Sequence, residues 1–211
     1  MLTLLVVMFL VSGFLGVFAA ETNRKRLLLV TKPLTTALLF GVVGWPHNMF
    51  SQLITGGILL SLVGDAALLS DSSQAFMLGL GSFLLAHVLY IVAFISVGQA
   101  TASVAFYGIG VLLMTLLLLR RLWAGAGSMR APVCVYGVAI ATMVITAFST
   151  NSGTLSAVSG RLASIGALLF FISDSTLALN KFHRPIRHSA IVTLGVYWVG
   201  QLGIALAARI G

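Results

Sequence analysis

The chain of 211 residues is 59% hydrophobic and only 8% charged, with a mean hydropathy of +1.11. A soluble domain carries about a quarter charged residues, so one water-surrounded core could not hide this much apolar surface, and a bilayer is the solvent that fits. The net charge of +8 sits in short clusters between apolar runs, with no long basic stripe and no interleaved aromatics, which argues against a nucleic-acid partner.

A membrane-crossing helix needs about 17–25 apolar residues. Taken in chain order, stretches of that kind lie at 2–20, 27–43, 51–69, 75–96, 101–119, 131–149, 158–180 and 188–209. The first ends in small residues, "VFAAE", as a signal peptide would. No positive charge precedes it, however, so an uncleaved helix is expected. In the second, Pro33 marks a helix start or a kink. "GWPHN" is a turn with His47 exposed, and "SDSSQ" holds a solvated Asp71. "RRLWAGAGSMR", the longest connection, reads as a solvated turn, and "STNSGTLS" as a polar loop. The sixth stretch contains Cys134; as the single cysteine it can form no intramolecular disulfide and reads as a small packing residue. No connection is long enough for a second domain. The expectation is therefore all-α: a polytopic bundle of eight spans, forming a single integral membrane domain over residues 1–211.

The basic residues test this division. Arg24, Lys25, Arg26 and Lys32 flank the loop after the first span. Arg120, Arg121 and Arg130 flank the loop after the fifth, and Lys181, Arg184 and Arg187 the loop after the seventh. Only Arg161 and Arg209 fall on the other side, a division of ten against two. By the positive-inside rule the odd-numbered loops face the cytoplasm and both termini the opposite side, in a cell inner (plasma) membrane.

Of the four acidic residues, two interrupt apolar runs: Asp65 in "SLVGDAALL" and Asp174 in "FFISDSTLAL". Carboxylates cost several kcal/mol within a membrane and mark functional sites there. They stand roughly four and six residues before the ends of their spans, or roughly 6–9 Å below one membrane boundary. Lys32 enters from the same side. Asn180 marks the end of the seventh span, Tyr197 and Gln201 share a face of the eighth at i and i+4, and His87 and Tyr90 lie deeper in the fourth. The stripe Gly57, Ser61, Asp65, with Gly64 alongside, and the small residues Gly160, Ala163, Ala167 and Ala178 beside Asp174 turn both acids toward protein. "LLSLVGDAAL" and "LLFFISDSTL" also echo one another four spans apart, as a duplicated four-helix unit would.

Several chemistries are excluded. There is no GxSxG elbow, no phosphate loop and no dinucleotide fingerprint. The four histidines, His47, His87, His183 and His188, lie at depths that do not converge on a metal. No metal or other cofactor is implied. What remains is a pair of carboxylates where a lipid's glycerol meets its chain. Like charges in a poorly hydrated site resist ionising together, so such a pair supplies one acid and one anion. Glycosidases use that combination to make an oxocarbenium ion, and the lipid bond that breaks the same way is the vinyl ether.

"KPLTTALLF" (32–40), "SLVGDAALL" (61–69), "GSFLLAHVLYIVAF" (81–94), "RAPVCVYGVAI" (130–140), "GALLFFISDSTLALNKF" (166–182) and "YWVGQLGI" (197–204) resemble, in this order, the YhhN-like lysoplasmalogenase family. The resemblance covers nearly the whole chain. It implies a membrane ether hydrolase that cleaves the vinyl ether of lysoplasmalogen, a lysophospholipid, to a fatty aldehyde and a glycerophospho-ethanolamine or -choline. It also implies Asp65 and Asp174 as the catalytic pair, with Lys32, His87, Tyr90, Asn180, Tyr197 and Gln201 as substrate-binding positions. Either aspartate fits the acid role, and Lys32 either meets the lipid phosphate or sets the ionisation of the pair. The rival reading is a proton-coupled or lysolipid carrier that uses the buried acids as a relay. Against it, no span is broken by paired glycines and prolines, and the acids lie off the midplane.

Overall fold

The computed structural model describes residues 1–211. Eight helices are long and apolar enough to cross a membrane: α1 (Leu2–Glu21), α2 (Lys25–Val43), α3 (Met49–Ala67), α4 (Ser73–Val97), α5 (Ala102–Leu122), α6 (Arg130–Ser149), α7 (Ala157–Phe182) and α8 (Tyr197–Ile210), the last entered through a π-helical segment, Ile191–Val196. The starts of α3, α4, α5 and α7 are capped by the side chains of Asn48, Ser72, Thr101 and Ser156, which accept orphan backbone N–H groups.

Pro33 lies inside α2 and does not mark its start. Two hydroxyls on the same helix bond its backbone nearby: Thr31 donates to the Leu27 carbonyl at 2.9 Å and Thr35 to the Thr31 carbonyl at 2.7 Å. The eighth span also departs from the regular helix expected over 188–209. Its first turns are π-helical, and the Thr193 carbonyl, out of register there, accepts from Ser173 of α7 at 2.9 Å.

Six helices form a closed ring in the order α2, α3, α4, α6, α7, α8 and back to α2. α1 and α5 lie outside it, α1 against α2 and the π segment, α5 against α6 and more lightly α7. The order repeats after four helices, since α2–α3–α4 followed by α6 has the same pattern as α6–α7–α8 followed by α2. That is the packing a duplicated four-helix unit produces. The repeat is imperfect, most visibly at one seam. α1 packs against the segment that leads into α8, but no comparable face joins α5 to α4, which leaves a lateral gap.

The tightest seam joins α7 to α8. A Cβ on Gly166 would lie 2.6 Å from the Gly200 carbonyl, and one on Gly200 would lie 2.7 Å from the Gly166 carbonyl. The two backbones touch here, a contact small residues permit in membrane helices. Two ion pairs tie the odd-numbered connections to one face of the bundle: Lys25 to Asp71 at 3.6 Å and Glu21 to His188 at 2.6 Å. At the opposite face Arg209 donates to the Val42 carbonyl at 2.9 Å.

Candidate functional site

Asp65, only 2% exposed, projects from α3 into the ring and collects donors from two other helices. Thr36 of α2 donates to its Oδ2 at 2.6 Å and Tyr197 of α8 to the same oxygen at 2.9 Å. The Lys32 ammonium lies 3.5 Å from Oδ1. Lys32 and Thr36 are four residues apart on α2, so one helical face presents both. A chain of hydrogen bonds runs to the same carboxylate from deeper in the bundle. Tyr90 of α4 donates to Gln201 Oε1 at 2.8 Å, Gln201 Nε2 donates to the Tyr197 hydroxyl at 3.3 Å, and Tyr197 donates to Asp65. Trp198 Nε1 braces Thr36 at 3.3 Å. Each bond is oriented so that the chain ends on the carboxylate.

Asp174 of α7 has a poorer set of partners. It is half-buried and accepts one hydrogen bond from a protein side chain, from the Tyr136 hydroxyl of α6 to its Oδ2. None of the three ion pairs in the molecule involves it. Each aspartate thus takes a hydroxyl from the helix that precedes its own, Thr36 in one half and Tyr136 in the other, but only Asp65 has a cation.

Two cavities meet at Asp174. The smaller is lined half by hydrophobic side chains and half by polar ones, Lys32, Asp65, Ser173, Asp174 and Thr193, with Tyr197 beside them. The larger is lined mostly by hydrophobic side chains of α4, α5, α6 and α7, beside the α4–α5 gap. Leu68, Phe83, Asp174 and Leu177 belong to both walls. A two-chambered site results: one side holds the charged and polar groups, the other is almost wholly apolar, with a carboxyl group between them.

The remaining candidates sit at varying distance from this centre. His87 is completely buried in α4 with no hydrogen-bond partner on either ring nitrogen; it packs edge-on against Tyr136 at 5.1 Å and Phe170 at 4.9 Å between ring centroids. It therefore backs the ring of the residue that holds Asp174. Tyr90 and Gln201 act on Asp65 only through Tyr197. Asn180 lines neither cavity; its Oδ1 accepts the Ile186 N–H at 2.8 Å and closes the turn after α7. Lys32 is engaged by Asp65 rather than free for a phosphate. Thr36, Tyr136, Ser173, Thr193 and Trp198 join the site without having been singled out by sequence. Thr36 stood within the quoted "KPLTT", four residues after Lys32, where helical periodicity would have found it. No group of three or more His, Cys, Asp or Glu side chains comes together as a metal cage would require.

The model of the YhhN family matches residues 27–208. The chain belongs to the YhhN family. This YhhN-family chain is 32% identical over 194 residues to the membrane protein YhhN of Escherichia coli O157:H7, a match covering 90% of this chain and 91% of that protein. It is 31% identical over 169 residues to lysoplasmalogenase TMEM86B of Sus scrofa (75% of this chain, 64% of that protein) and 32% identical over 163 residues to the protein of that name from Homo sapiens (77% and 66%). It thus spans slightly under two thirds of the length of these two mammalian relatives. No solved structure matches it.

Proposed function

We propose that this protein is a lysoplasmalogenase: a hydrolase of the vinyl ether bond of lysoplasmalogens that releases a fatty aldehyde and a glycerophospho-ethanolamine or -choline. The observation that carries the reading is the position of Asp174 in the wall shared by an apolar cavity and a polar one, with Asp65 across the polar side. A lysolipid reaches the apolar cavity through the gap between α4 and α5. Water reaches the polar one. The bond to be cut lies between them.

The donor sets divide the two acids. Asp65, with Lys32, Thr36 and Tyr197 all directed at it, is the anion. Asp174, with one hydroxyl partner and no cation, carries the proton. Asp174 gives that proton to the β-carbon of the vinyl ether, and the resulting positive charge is shared between the α-carbon and the ether oxygen. Water from the polar cavity adds to the α-carbon while Asp65 takes a proton from it. The hemiacetal then collapses: its hydroxyl proton returns to Asp174, the bond from the former vinyl carbon to the glycerol oxygen breaks, and Asp65 protonates that oxygen. Both acids end as they began, and one water has been consumed.

The excess of basic residues at the odd-numbered loops supports a cytoplasmic position for that face, with both termini opposite, in the inner (plasma) membrane of the cell. The test is aldehyde release by purified protein in detergent. Asp65→Asn and Asp174→Asn should each lower turnover by about 10²–10⁴-fold, the usual contribution of a positioned acid or base. In D₂O the aldehyde should carry one deuterium on the carbon next to the carbonyl. Near-normal turnover by both variants overturns the reading. If the wild-type protein releases no aldehyde and proteoliposomes instead move lysolipid, it is a carrier.

A further inference from the structure

The proposed reaction requires something to fix the lipid's depth, because a single apolar chain can slide along an apolar cavity. Lys32, the cation nearest the acids, is held by Asp65. Among the residues lining the larger cavity there is one other basic side chain, Lys181, in the last turn of α7. Its ammonium lies 4.8 Å from the centre of the Phe76 ring, and Phe76 in turn meets Phe182 edge-on at 6.2 Å. Both rings line the same cavity, so an aromatic rim holds the ammonium at its mouth. Lys181 has no carboxylate partner.

We propose that Lys181 is the phosphate anchor of the lipid site, a specificity-determining residue that binds the phosphate of a single-chain glycerophospholipid and sets its ether bond level with Asp174. The inference rests on the hydrolase reading above. Lys181 follows Asp174 by seven residues, two turns on the same face of α7, which separates their backbones by about 10.5 Å along the axis. Helical side chains lean toward the N-terminus, and lysine's longer stem brings its ammonium back toward Asp174. In the lipid, seven bonds join phosphorus to the β-carbon that Asp174 protonates, roughly 8 Å when extended at the reach per bond of a peptide chain. That length is of the same order as the spacing of the two residues along α7, so a phosphate held by Lys181 leaves the vinyl ether within reach of Asp174. The cavity runs deeper from there along Tyr136, Gly137 and Ile140, where the hydrocarbon chain lies.

The experiment compares two saturated-ether ligands that cannot be hydrolysed, 1-O-alkylglycerophosphoethanolamine and 1-O-alkylglycerol, bound to purified wild-type, Lys181→Met and Lys181→Arg proteins. Losing a charged hydrogen-bonding partner is expected to weaken the phosphate-bearing ligand about tenfold in Lys181→Met. The neutral ligand should bind as before, and Lys181→Arg should restore most of the loss. With lysoplasmalogen as substrate, the loss should fall on KM. Equal weakening of both ligands, or of neither, overturns the anchor. Wild-type protein that releases no aldehyde yet shows the phosphate-dependent difference overturns the hydrolase reading and leaves the anchor standing. Aldehyde release with no Lys181 effect does the reverse.

Discussion

The Tyr197 hydroxyl donates to Asp65 Oδ2 at 2.9 Å while accepting from Gln201 Nε2 at 3.3 Å, so its one proton is committed to the carboxylate. Tyr197→Phe keeps the ring that packs edge-on against Phe83 and Phe170 and removes the hydroxyl, and with it both the donor to Asp65 and the acceptor of Gln201 Nε2. A hydrogen bond to a charged group is worth about 1.5–3 kcal/mol. Turnover should therefore fall by about 10–100-fold, with a modest loss of thermal stability from the unpaired Gln201 amide, as steady-state aldehyde release and thermal unfolding in detergent would read. Gln201→Leu acts one link further away and should cost less.

Lys32 and Asp65 are 6% and 2% exposed, so each depends on the other for its charge. Lys32→Met leaves a buried carboxylate with hydroxyl donors alone, and breaking such a pair from one side costs about 3–5 kcal/mol. The double variant Lys32→Met/Asp65→Asn removes both charges and should recover much of the lost stability. A double-mutant cycle on unfolding free energy measures the coupling; additive losses would mean that the pair is not a unit.

The number and limits of the helices were legible because a bilayer imposes length and apolarity on every span, and the expected boundaries lie within three residues of those observed when the π-helical entry from Ile191 is counted with α8. That Asp65, Lys32 and Tyr197 stand near one another was also legible from counting turns along their spans, and the structure brings them into contact. Which helices adjoin could not be read. Apolar faces look alike in sequence, so nothing marked Tyr136 as the partner of Asp174 or the missing seam between α4 and α5. The π-helical entry to α8 was equally hidden, because it depends on Ser173 of α7 accommodating a displaced carbonyl. Asn180, chosen for its polarity at a helix end, turned out to bond the backbone of the following turn.

Tyr136 separates two roles that sequence could not. Tyr136→Phe deletes the donor to Asp174 but keeps the ring against which His87 packs. If Asp174 is the acid, the anion formed after proton transfer loses its one hydrogen bond, and turnover should fall by about tenfold or more. His87→Ala leaves that bond in place but opens a hole beside Tyr136 and Phe170. Its cost should appear mainly as a lower unfolding temperature, as deletion of a large buried ring costs about 3–5 kcal/mol. Reversal of this pattern, with His87→Ala the slower and Tyr136→Phe the less stable, would assign the chemistry to the histidine.

Chain-length preference offers a test of which cavity holds the hydrocarbon. Gly137 lines the larger cavity on α6, seven residues beyond the helix start at Arg130, or roughly 10 Å along its axis. The atoms nearest a Cβ there all belong to the Leu119 side chain, with Cδ2 at 3.1 Å, the movable end of a flexible side chain. Gly137→Leu therefore fills cavity space without striking backbone. It should slow release of long-chain aldehydes relative to short-chain ones, and Gly137→Ala should do so only weakly. Competition between lysoplasmalogens of two chain lengths, read by the ratio of the aldehydes formed, measures the shift directly. An unchanged ratio in a folded Gly137→Leu protein would put the chain outside this cavity, and the assignment of Asp174 to the oily side of the site would fall with it.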